Sequence, residues 1–241
     1  MSTASPKPVF LLAGKARRGR QGPDPLLQPV FAQAPKPRPS IAYVGAASGD
    51  DRSFLQWLTA YFKTGGAGEV RLAPTASARA DLDEARTVLG ESDLVFITGG
   101  DVEEGLRILR ERDLIPVLRR LYRAGVPFFG LSAGSIMLAG SWVRWRDPDD
   151  ESNAETFPCL GFAPVLCDVH AEEEDWEELR TLLRCVDRNA VGYGIPAGGA
   201  LRVDPQGKVT ALGLPAHRFR WSGGRVTRLA DLPAGYAWSV E

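Results

Sequence analysis

Five compact apolar runs, at residues 9–13, 41–46, 70–73, 94–98 and 126–131, constrain this chain most. None of them alternates with polar residues. A strand with one wet face alternates, whereas an unbroken apolar run suits a strand covered on both faces, as in a parallel sheet. Residues 51–63, 80–89, 102–110 and 114–124 read as amphipathic helices between these runs, the last stopping before Gly125 at a C-cap position. The alternation predicts an α/β fold: a doubly wound, mostly parallel sheet flanked by helices. Past Asp204 the pattern shifts to short strands at 208–212, 216–221 and 225–229, with Gly223-Gly224 as a hairpin turn. Residues 204–241 are thus expected to be a β-rich closing segment of a single domain covering 1–241. Residues 14–40, rich in Pro, Gly, Arg and Gln, read as a long surface excursion.

Composition excludes several classes. With 29 basic and 30 acidic residues the net charge is -1, so nothing in the overall balance draws the chain to nucleic acid or anionic membrane. No apolar run approaches the roughly 20 residues that cross a bilayer. The basic residues near the N-terminus follow the first apolar run, the wrong order for a signal peptide. Cys159, Cys167 and Cys185 form no C-x-x-C pair and cannot all be bridged, which fits a reducing compartment. A cytoplasmic protein is expected.

Chemistry concentrates at Gly130-Leu131-Ser132-Ala133-Gly134, a G-x-S-x-G pattern between a predicted strand and a predicted helix. A serine on such a sharp turn lifts its hydroxyl clear of the sheet, and the small flanking residues permit the close backbone approach. The helix start then offers the Ala133 N–H to developing negative charge. A second strand ends in Gly99-Gly100-Asp101, so the Gly100 and Ala133 amides can form an oxyanion hole. The same geometry also serves phosphate, but G-x-x-x-x-G-K-[ST] and G-x-G-x-x-G in a βαβ setting are both absent.

A serine nucleophile needs a base, and the chain has two histidines, His170 and His217. His170 ends an apolar run ahead of a helix expected near Glu172. His217 lies in the closing segment. Position favours His170. The run Glu172-Glu173-Glu174-Asp175 reads as a solvated first turn, with Trp176, Leu179, Leu182 and Leu183 as the buried stripe.

The elements Phe96–Asp101, Gly130–Ser135, Asp168-Val169-His170 and Gly194–Leu201 resemble, in that order, the dipeptidase E and cyanophycinase family of serine peptidases. The resemblance implies a fold related to class I glutamine amidotransferases, with Ser132 as nucleophile, His170 as base, and Gly100 and Ala133 at the oxyanion positions. It implies hydrolysis of small peptides through an acyl-enzyme, without a cofactor or metal, and a preference for Asp. Asp101, Arg144 and Arg146 are the substrate-binding candidates, the two arginines as the cations such a preference needs. One departure stands out. Cyanophycinase-like members carry an acid where this chain has Pro196 and Ala197, so the third triad member is unassigned among Asp168, Glu172, Glu173, Glu174 and Asp187. Other readings compete: a cyanophycinase-like enzyme or another amidase or esterase, such as an α/β-hydrolase using His217, and a catalytically inactive binding homologue on the same scaffold. The expected partner is a small peptide, with a homodimer as the assembly considered.

Overall fold

A computed structural model describes residues 5–14, 22–147, 153–186 and 189–236. The five apolar runs become strands β1 (Val9–Leu12), β2 (Ile41–Val44), β3 (Val70–Ala73), β4 (Leu94–Ile97) and β5 (Phe128–Leu131). They pair in parallel in the order β1-β5-β4-β2-β3. Alternate residues of one strand feed opposite faces. Val9 and Leu11 join one core and Phe10 and Leu12 the other, which is why no polar alternation marks these runs.

Helices close both faces. On one side lie α3 (Leu82–Glu91), α4 (Val102–Glu111), α5 (Ile115–Arg123) and the short α6 (Ala133–Leu138). On the other lie α1 (Leu27–Phe31) and α2 (Arg52–Thr64). Three aspartates start helices by accepting backbone N–H groups: Asp51 from Phe54, Asp81 from Asp83 and Glu84, and Asp101 from Glu104. The surface excursion expected over 14–40 is corrected for its described part, because Leu26, Leu27 and Val30 are buried in the second core. Short length and an internal Pro29 hide α1 from the periodicity.

The closing segment is divided rather than separate. Strand β10 (Ala200–Val203) runs antiparallel to β1, and β11 (Val209–Leu212) and β14 (Ala234–Tyr236) extend that sheet to eight strands among the described residues. A second sheet takes β8 (Leu166–Val169), β9 (Val191–Ile195), β12 (His217–Ser222) and β13 (Arg225–Arg228), backed by α7 (Glu177–Cys185). A hairpin of β6 (Ser141–Trp145) and β7 (Ala154–Pro158) completes the strands. Helix α7 begins five residues later than expected, so Glu172–Asp175 lie in the turns before it and Glu177 and Glu178 hold its first turn. The buried stripe of Trp176, Leu179, Leu182 and Leu183 is as expected.

Candidate active site

Ser132 occupies the turn from β5 into α6 with φ 54° and ψ -125°. A side chain in that region costs on the order of 1–3 kcal/mol and persists only where its surroundings enforce it. Here they do. Leu12 O, at the end of β1, accepts both the Ser132 N–H at 2.9 Å and the Ser135 hydroxyl at 2.9 Å. A Cβ on Gly134 would lie 2.0 Å from Ile97 O, and one on Gly130 would lie 2.5 Å from the Gly134 backbone. The glycines of the motif therefore let α6 rest directly on the sheet.

Gly100 is fixed by a similar restriction: its φ is 136°, and a Cβ would meet Ala47 O at 1.9 Å. Gly100, Ser132, Ala133 and His170 line one cleft of about 910 Å³. Ala133 is the first residue of α6, where a backbone N–H has no partner within the helix. The hairpin adds Trp142, Arg144 and Phe157 to the cleft wall.

His170 follows β8 with φ 46°, and its N–H donates to Ile195 O at 2.9 Å. That turn brings Nε2 to 2.7 Å from Ser132 Oγ. The other histidine is engaged elsewhere. His217 Nδ1 lies 3.1 Å from Asp231, and its ring packs edge-on to Trp176. Burial keeps two of the thiols protonated: Cys159 is pushed up to about 12 and Cys167 well above its usual value.

The candidate acids separate. Asp168 is 2% exposed and lines the cleft. Its Oδ1 accepts the Val169 N–H at 2.7 Å, while Oδ2 has no hydrogen-bond partner among the described residues. Burial above all, with the Glu178 and Glu174 charges adding to it, raises its pKa to about 7. Glu172 instead crosses to the loop at Ala197, whose N–H it accepts at 2.6 Å. Glu174 lines the cleft, Glu173 does not border it, and Asp187 lies outside the described residues.

Asp101 and Arg144 border the cleft, and Arg146 does not. The Asp101 carboxylate caps α4. The Arg144 guanidinium is shared by Glu103 and Glu155, and that of Arg146 is bound to Glu155. Sequence reasoning missed Glu178 and the hairpin aromatics, all in the cleft wall. Among the described residues no three His, Cys, Asp or Glu side chains could hold a metal ion, and no helix is long and apolar enough to cross a membrane.

Fold and site together define an α/β protein with a serine–histidine pair at a strained strand-to-helix turn. The chain belongs to Peptidase family S51, whose family model matches residues 10–210. It is 26% identical over 175 residues to the uncharacterized peptidase YgaJ of Bacillus subtilis, covering 72% of this chain and 73% of that one. It is 28% identical over 126 residues to Peptidase E of Haemophilus influenzae, covering 49% of this chain. That match spans only 57% of the Peptidase E length. A peptidase structure from an acI-B1 Actinobacterium superposes with a TM-score of 0.72 over 97% of both chains at 15% identity, a likeness of fold.

Proposed function

We propose that this protein is a serine peptidase that hydrolyses short peptides through an acyl-enzyme on Ser132. The observation that carries the reading is the 2.7 Å approach of His170 Nε2 to Ser132 Oγ inside the cleft. In this mechanism Nε2 takes the hydroxyl proton as Oγ attacks the scissile carbonyl. The Gly100 and Ala133 amides receive the negative charge that develops on the carbonyl oxygen. His170 then protonates the leaving amine, and the amide C–N bond breaks. Water, deprotonated by the same nitrogen, attacks the ester and releases the acid product.

With Nε2 accepting, the remaining ring proton sits on Nδ1 and calls for an acceptor. We assign that role to Glu172. It lies two residues from His170, and its carboxylate reaches the Ala197 loop, where the resemblance would put the family's acid. Asp168 suits the role less well, because its carboxyl is partly protonated near neutral pH.

An Asp preference is implied by the family resemblance, yet the one guanidinium or ammonium among the described cleft residues, that of Arg144, is already shared by two carboxylates. The reading therefore takes short peptides without an Asp preference, and membership of the S51 family favours a peptidase over the α/β-hydrolase reading. Steady-state kinetics on a short-peptide panel test the assignment. Ser132→Ala and His170→Ala should each lower kcat by at least about 10³, and His217→Ala should change it by less than about threefold. Loss of activity in His217→Ala with retention in His170→Ala would move the base and overturn the assignment.

A further inference from the structure

The described lining of the cleft holds six carboxylates, Asp101, Glu103, Asp168, Glu174, Glu177 and Glu178, against one guanidinium. Two of the six are bonded to protein groups: Asp101 caps α4, and Glu103 pairs with Arg144. Glu177 and Glu178 complement the dipole of α7 from its first turn. Asp168 lies on a strand and is almost wholly buried; the Val169 and Leu179 N–H groups favour its carboxylate, yet Oδ2 has no hydrogen-bond partner among the described residues. Buried carboxylates are ordinarily paired, so an orphaned oxygen in a cleft wall marks the place of a missing donor.

The neighbours of Asp168 sharpen the chemistry. Glu178 and Glu174 raise its proton affinity, and Glu178 is itself raised by partial desolvation and by Glu177 and Glu174 beside it. Asp168, Glu174, Glu177 and Glu178 have no ion-pair partner among the described residues. Their arrangement does not make a metal site. What fits is a compact organic cation that donates hydrogen bonds, brought to the wall that ends at His170.

Resting on the reading of the cleft as a peptide site, we propose that it selects short peptides bearing a cationic nitrogen, an ammonium or guanidinium held by Asp168 with Glu174 and Glu178. A carboxylate side chain at the same place would meet the acidic groups of Glu174 and Glu178 and a buried Asp168 carboxyl, with no free cation to receive it. This wall therefore disfavours the Asp preference that the family resemblance implies.

The test is binding without turnover, measured by calorimetry on Ser132→Ala. Peptides are N-acetyl-Ala-Lys-Ala-amide, its Arg, Asp and Ala counterparts, and Ala-Ala-Ala-amide with a free amine. At least one cationic peptide should bind about tenfold or more tighter than the acetylated Asp peptide. An advantage of the acetylated Lys or Arg peptide assigns the cation to a side chain, and one of the free-amine peptide alone assigns it to the N-terminus. Adding Asp168→Asn or Glu178→Gln should shrink the preference to less than about threefold. Glu178→Gln, on an exposed helix face, keeps the test decisive should Asp168→Asn fail to fold. Equal or tighter binding of the Asp peptide, no binding by any cationic peptide, or a preference that survives both substitutions would overturn the proposal. Fluorophosphonate labelling of wild-type Ser132 scores the peptidase reading separately, since a cation-binding cleft could persist without a reactive serine.

Discussion

At the residue scale, the tolerance for atoms around Ser132 is close to zero. A methyl group on Gly134 has nowhere to go, because the nearest obstacles are the backbone carbonyls of Ile97 and Thr98. Gly134→Ala should therefore destabilise the fold by about 2–4 kcal/mol in urea titration, with loss of activity in whatever remains folded. Gly90→Ala is the control, since a Cβ there meets nothing within 4 Å. Asp168 makes a second prediction. Its folded pKa of about 7 lies above the ordinary 3.8, so the native state binds more protons than the unfolded chain between these values. Stability should fall as pH rises through that window. Asp168→Asn, which keeps an acceptor for the Val169 N–H, should remove the slope and raise Tm at pH 8 by about 3–8 °C. A Tm unchanged at pH 8 would mean that the carboxyl is not held in an unfavourable site.

At the element scale, the site depends on how β8 ends. The chain turns at His170 with positive φ, passes through turns at 171–176, and enters α7 from Trp176, itself at φ 59°. Those turns set Glu172 against the Ala197 loop, and that loop is tied to the end of β1 by Ala13 N–H to Gly199 O and Gly198 N–H to Gly14 O. If Glu172 orients His170, Glu172→Gln should lower kcat by more than about tenfold with little change in KM, and Glu172→Asp should recover part of it. Equal rates in all three proteins would remove Glu172 from the mechanism. Sequence reading found β8 and the buried face of α7 but began the helix too early, because a run of four acids is the usual first-turn signature. The positive φ values at His170, Asp175 and Trp176, residues with side chains, left no glycine to mark the turn.

At the scale of the whole molecule, Ser132 follows β5 of the eight-stranded sheet and His170 follows β8 of the four-stranded one. A core shared by Val95, Ile97, Met137, Cys167, Leu179 and Phe219 packs the two together. Phe219, 1% exposed on β12, is part of that joint. Phe219→Ala should cost about 3–5 kcal/mol by denaturant unfolding. The five parallel strands and the serine turn were legible because both are local signals: apolar runs, and two glycines flanking a serine. The second sheet was not, since its pairings join strands distant in sequence, β9 with β8 and with β12, and single strands carry no mark of their partners. The β6–β7 wall was hidden for a related reason: its five-residue strands mix aromatic and charged residues that read equally well as a loop.

The central claim is that His170 activates Ser132, and active-site labelling reads it most directly. Wild-type protein is treated with a fluorophosphonate, digested, and mapped by mass spectrometry, with His170→Ala and His217→Ala in parallel. One adduct is expected, on Ser132, forming at about the wild-type rate in His217→Ala and slower by at least about 10² in His170→Ala. An unlabelled Ser132 in wild type, or labelling indifferent to His170, would contradict the account.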